Sequence, residues 1–230
     1  MKALALCIAA ALSLSACASM NNGSTNPNSP TNQIVTQYPV ETAMINIYTK
    51  QSTQKLMAKV DNQDIVADIK VTPKGTMLFD GKSAQGAEVN TITKSNNQLI
   101  NQSVSINYFT LNPLVFRGYT DSSGEYSVAT QTTTLPKLAK VGDSSPLLTE
   151  NVYSDSSKRQ HKGRYTQSWS LAQDSNNTAL FCIDTSTNML LNVDPEGTTT
   201  ECYKINAKGD ILASQLTINA PNETIKFTSQ

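Results

Sequence analysis

Ile65-Val66-Ala67-Asp68-Ile69-Lys70-Val71 is the stretch that decides the fold class. Its apolar residues Ile65, Ala67, Ile69 and Val71 alternate with Val66, Asp68 and Lys70. That period of two suits a β-strand with one buried and one wet face. Segments of similar character follow at 77–80, 103–110, 114–120, 126–131, 165–171, 179–184, 201–206, 212–218 and 224–228. Between them stand turn signals: Lys74-Gly75, Asp121-Ser122-Ser123-Gly124, Asp194-Pro195-Glu196-Gly197 and Lys208-Gly209-Asp210. Many short strands joined by hairpins predict a mainly β domain, an antiparallel sandwich or a strongly curved sheet.

One helix precedes them. Val40, Ala43, Met44, Ile47 and Tyr48 recur at the spacing of an amphipathic helix, and Pro39 sits where a first turn tolerates it. Such a stripe is read as core packing. A weak internal echo pairs Lys70-Val71, Lys74-Gly75 and Met77-Leu78 with Lys204-Ile205, Lys208-Gly209 and Ile211-Leu212. It is read as convergence of hairpin turns rather than a duplicated sheet.

Ahead of this domain, Lys2 is followed by an apolar run from Ala3 through Leu14 and then small residues, the layout of a secretory signal peptide. The run is too short to span a bilayer, which needs about 20 apolar residues. Leu14-Ser15-Ala16-Cys17 resembles the lipobox of bacterial lipoproteins. The resemblance covers only this leader. It implies cleavage after residue 16, lipidation of Cys17 with palmitate-type chains, and attachment to a membrane through acyl chains without a transmembrane helix. Several chains anchor far more firmly than one, because each buried methylene adds about 0.8 kcal/mol. In such lipoproteins an aspartate after the cysteine favours the inner membrane; Ala18 stands there, so the resemblance implies the outer membrane, with the periplasmic or surface side left open.

Residues 17–36 read as a tether: 21–32 are almost entirely Asn, Ser, Thr, Gly and Pro, with nothing apolar to bury. About 18 flexible residues reach on the order of 25 Å. Residues 37–230 are one domain's worth of chain. With 18 basic against 18 acidic residues, there is no electrostatic case for a nucleic-acid partner.

Beyond Cys7 in the leader and Cys17, two cysteines remain, Cys182 and Cys202, in a compartment where disulfides persist. If residues 189–193 formed a strand between theirs, they would sit two strands apart, about 9.6 Å. A bridge needs Cα atoms within about 7 Å. Either 185–199 loops out and the cysteines face each other across adjacent strands, or both are free thiols. The bridge is the expectation.

No motif carries a convincing chemistry. Gly142-Asp143-Ser144 resembles the nucleophile block of the GDSL esterases and lipases. That family also needs Asp-x-x-His near its end, whereas Lys158 precedes the lone histidine, His161, at the required position. Without a base a serine hydroxyl is a poor nucleophile, so Ser144 reads as a turn residue beside Pro146. Gly81-Lys82-Ser83 looks like the end of a P-loop, but Thr76 stands where the pattern needs glycine and strand precedes it. Asp61, Asn62, Asp64 and Asp68 offer oxygens close together but lack the calcium-loop glycine. They read as solvated. No zinc spacing is present, and no metal or other cofactor is expected. A pair of carboxylates drawn from distant strands would leave no mark.

The densest charge, Lys158, Arg159, His161, Lys162 and Arg164, is either a patch for anionic headgroups or a solvated loop. Trp169 and Tyr165 share one face of a strand and are read as core. The functional expectation is a non-enzymatic envelope lipoprotein whose β domain binds a protein, polysaccharide or lipid. A second expectation is a lipid carrier similar in outline to the half-barrel proteins of the periplasm. An apolar cavity of several hundred cubic ångströms beside helix 40–50 would favour it. A hydrolase comes third.

Overall fold

The computed structural model describes residues 34–131, 133–189, 197–220 and 223–229. The expected leader, Cys17 and most of the expected tether lie outside them. Strand β1 (Gln37–Tyr38) leads into helix α1 (Val40–Thr49). Pro39 caps the helix, its carbonyl accepting from Ala43 N, and Lys50 leaves it in extended conformation. Val40, Ala43, Met44 and Ile47 are buried, as their spacing predicted. At roughly 1.5–3 kcal/mol for each fully buried large aliphatic side chain, this stripe holds the helix in place.

The remaining strands are β2 (Ser52–Val60), β3 (Gln63–Phe79), β4 (Lys82–Ser95), β5 (Gln98–Leu111), β6 (Leu114–Asp121), β7 (Tyr126–Gln131), β8 (Ala139–Lys140), β9 (Ser144–Tyr153), β10 (His161–Ser175), β11 (Thr178–Met189), β12 (Thr198–Asn206), β13 (Ile211–Ala220) and β14 (Glu223–Ser229). Mainly β with one helix holds, but the sandwich or open curved sheet does not. Strands β2–β7 and β9–β14 close into a single antiparallel barrel, and β1 pairs only with β8. The open half-barrel outline of the carrier expectation is corrected in the same way. Closure removes the free edges that an open sheet would expose.

Two seams of the barrel are thin. Between β14 and β2, among the described residues, only Thr228↔Met57 and Ser229↔Leu56 pair. Between β6 and β7 only Thr120↔Tyr126 does, and side chains replace the ladder. Tyr119 N donates to Ser127 Oγ at 2.8 Å, and Phe116 N to Gln131 Oε1 at 3.0 Å, while Gln131 Nε2 donates to the Leu114 carbonyl. These bonds satisfy backbone groups that a buried seam would otherwise orphan.

The end of the β3–β4 hairpin lies across this second seam on the outside. A bulge between Pro73 and Gly75 reverses which side chains face out. Phe79 then stacks on Tyr108 of β5 at 4.3 Å and Tyr126 of β7 at 5.0 Å. Beneath it is Gly118 at φ +138°, where a Cβ would stand 2.1 Å from the Ser127 carbonyl oxygen and 3.1 Å from the Phe79 ring. Glycine alone permits both approaches. Lys74-Gly75 is therefore a bulge within a long strand and not the expected turn; the turn is Asp80-Gly81, with φ of 50° and 72°. Asp61-Asn62 and Asn96-Asn97 make the same left-handed two-residue hairpins.

Strands β2, β4 and β9 had no counterpart among the sequence segments, and Ser144 opens β9 instead of lying in a turn. Residues 34–36 are hydrogen-bonded to the domain: Val35 N donates to the Asn176 carbonyl and Val141 N to that of Thr36. Cys182 and Cys202 are directly opposite on β11 and β12, which pair without an intervening strand, and they are bridged with Cα atoms 4.0 Å apart.

The main core gathers at one end. Helix α1 and Tyr38 pack there against Phe109, Trp169, Leu171, Phe181 and Ile205 from the inner wall. Outward positions carry charge around the barrel, among them Lys55, Asp68, Glu88, Lys94, Arg164 and Lys204, each beside an inward neighbour that packs or lines the interior. A lysine or arginine at a bilayer midplane costs about 2–4 kcal/mol on a barrel's lipid face. This outer wall suits water. No helix among the described residues is long and apolar enough to cross a membrane.

Candidate functional site

Eight strands enclose a space that side chains can just fill, whereas 16 to 18 leave an aqueous channel. Twelve fall between. Here the helix fills one end, and below it a cavity of about 570 Å³ remains inside the barrel. That volume falls within the roughly 300–1,000 Å³ of sites that take small organic molecules.

Helix α1 contributes Ile47 and Tyr48 to the roof. One wall is mainly apolar: Leu56 of β2, Ala67, Ile69 and Val71 of β3, Leu216 and Ile218 of β13, and Phe227 of β14, with Gln54, Ser214 and Gln215 among them. Leu56, Ala67 and Phe227 form a buried cluster with Ala58, against which Ile65 and Ile225 pack toward the far hairpins. The facing wall is polar, with Ser103, Ser105 and Asn107 on β5, Tyr119 and Asp121 on β6, Glu150 on β9, Tyr165 and Gln167 on β10, and Glu201 and Tyr203 on β12. The cavity is thus amphipathic, not apolar throughout as the carrier expectation had it.

Two carboxyls distinguish the polar wall. Glu150 is 8 % exposed, and its Oε2 accepts from Ser127 Oγ at 3.3 Å. Burial pushes its carboxyl up to about 7, partly offset by that hydroxyl. Glu201 lines the cavity with much of its own surface exposed there, although neighbouring atoms surround it. Burial raises it too, with Tyr203 Oη donating to its Oε2 at 2.9 Å in partial compensation. Tyr48 feels both acids: burial raises its phenol, and the negative charges of Glu201 and Glu150 raise it further. It packs edge-on and tilted against Phe116 and Phe109, which fixes it beneath the helix.

Among the described residues, no lysine, arginine or histidine lines the cavity. The nearby cation Lys162 lies toward the far end, ion-paired to Glu125, whose other oxygen accepts from Tyr119 Oη at 3.2 Å.

The sequence-derived candidates are dispersed. Lys158 pairs with Asp80 at 2.6 Å and stands 5.6 Å from the Tyr126 ring, and Lys162 is taken by Glu125. His161 packs edge-on against Tyr153, leaving Arg159 and Arg164 as the exposed cations of the five. Asp61 and Asn62 are hairpin-turn residues, and Asp68 pairs with Lys94 at 3.0 Å. Gly81-Lys82-Ser83 runs from a hairpin turn into strand, not into a helix. Trp169 and Tyr165 share the inner face, but Trp169 is core against Phe181 and Tyr165 lines the cavity.

Glu150, Glu201, Tyr119 and Tyr203 were not singled out by the sequence. A signal did exist for two of them: with Cys202 on one face of its strand, Glu201 and Tyr203 must share the other. Comparison of the chain with protein-family models, curated proteins and solved structures finds no match.

Proposed function

We propose that this protein is an outer-membrane lipoprotein, anchored by acyl chains on Cys17, whose barrel binds a small amphipathic molecule in its interior. The observation that carries the reading is the 570 Å³ cavity, with one apolar and one polar wall, beneath the helix. Close packing is the rule in protein interiors, and voids larger than a water molecule are few. A space this size destabilises the fold unless something useful occupies it. The anchor and tether place such a binding domain beside a membrane, and it acts by holding its ligand.

The two carboxyls motivate a second reading, hydrolysis by an acid pair. A glycosidase pair needs environments that push its carboxyls apart, one protonated and one ionised. Burial moves Glu150 and Glu201 in the same direction, which favours binding.

Titration of the purified domain with a neutral naphthylamine dye tests the binding reading. A saturable fluorescence rise at about one dye per chain is expected, abolished in Ser105→Trp, which fills the cavity from β5. A dye response that never saturates, or one that Ser105→Trp leaves unchanged, would rule out interior binding.

A further inference from the structure

We infer that the ligand carries an ammonium group, primary or quaternary, seated on the buried Glu150 beside Tyr119 and Tyr165, with an apolar tail toward Leu56, Ile69, Leu216 and Phe227. The inference rests on the interior-binding reading and names the class of ligand.

Charge balance is the first argument. Glu150 and Glu201 each have one neutral hydroxyl donor on one oxygen, at 3.3 and 2.9 Å, and no lysine, arginine or histidine among the described residues lines the cavity. Glu150 is the buried one of the two. Buried charges are ordinarily paired, because desolvation is costly without a partner. Lys162 cannot serve, since Glu125 holds it. Burial accordingly raises the Glu150 carboxyl, and a cation beside it would restore the ionised form.

Shape and surface are the second. Tyrosine rings attract ammonium groups; Tyr165 is directly opposite Glu150 on β10, and Tyr119, 6.3 Å from it ring to ring, lines the same cavity. Among the described residues no three His, Cys, Asp or Glu side chains converge as metal ligands, so an organic cation fits where a bare metal ion does not. Elsewhere in the lining, the side chains of Leu56, Ile69, Leu216 and Phe227 accept a hydrocarbon chain.

The test compares three ligands of one chain length, decylammonium, decanol and decanoate, by dye displacement and by direct calorimetry at pH 8. Decylammonium should bind about tenfold or more tighter than decanol, and decanoate weakest. The advantage should vanish in Glu150→Gln while dye binding persists. If that variant does not fold, Tyr165→Leu should reduce it. The other titratable groups that line the cavity are Tyr48 from α1, Tyr119 and Asp121 from β6, Tyr165 from β10, and Glu201 and Tyr203 from β12. Below pH 7 Glu150 takes up its proton, so the decylammonium advantage should shrink at pH 5. Decanol binding as tightly as decylammonium, while the dye still binds, overturns the ammonium assignment alone. No binding of the dye or any decyl chain overturns interior binding and the assignment together.

Discussion

Glu150 lies on the inner face of β9 with a single hydroxyl on its carboxylate, and this makes it a pH-dependent liability of the empty barrel. Its carboxyl rises from an ordinary value of 4.5 to about 7 on folding. A raised folded value means that the stabilisation is complete below pH 4.5 and lost as pH climbs through 7. The loss from this group alone is on the order of 3 kcal/mol by pH 8. Urea unfolding of the unliganded domain should therefore show stability falling between pH 5 and 8, with Glu201 adding in the same direction. Glu150→Gln should flatten that fall and exceed the native protein in stability at pH 8. Superimposable profiles for the two proteins would refute the buried, unpaired state of this acid. Nothing in the local sequence around Glu150 announces it: Leu148, Glu150 and Val152 share a face, and that face turns inward only because β9 joins β7 to β10.

At the scale of elements, the β3–β4 hairpin fastens the weakest seam of the barrel. Phe79 bridges β5 and β7 over Gly118, and Asp80 ties the same hairpin to Lys158. Truncating a buried phenylalanine costs about 3–5 kcal/mol. Phe79→Ala should lower the melting temperature and, specifically, speed amide exchange at Phe116 and Tyr119, whose partners are side chains of β7. Faster exchange confined to the hairpin itself would show that it does not fasten the seam. Of the strands the sequence missed, β4 shows its cause most plainly. In β4 the inward positions are Ala87, Val89, Thr91 and Thr93, the last two being polar because they line a cavity. Period-two hydrophobicity fades wherever the inside of a barrel is wet. The long β3 was divided at Lys74-Gly75 for a related reason, since a bulge uses the same residues as a turn.

At the scale of the whole molecule, the proposed binding takes place within reach of a membrane only if Cys17 is acylated. Expression in a bacterial host with a clickable palmitate analogue should label the full-length chain and place it in the outer-membrane fraction. Cys17→Ser should lose both the label and the sedimentation with membranes. Labelling that survives this substitution would remove the anchor from the model of function. The water-suited outer wall agrees with a domain held beside a bilayer instead of within one.

The sequence by itself determined a mainly β chain, the helix at residues 40–49, the pairing of Cys182 with Cys202 and the turns at 121–124 and 208–210. Each of these follows from neighbours a few residues apart, through periodicity, turn chemistry or oxidising surroundings. Tertiary structure alone decided that the sheet closes, because closure depends on thin pairings such as Thr228↔Met57, between residues at opposite ends of the domain. It alone decided, too, that Glu150 and Glu201 face one cavity beneath Tyr48. Strand order and closure set which face of each strand is inside, and no local pattern carries that information.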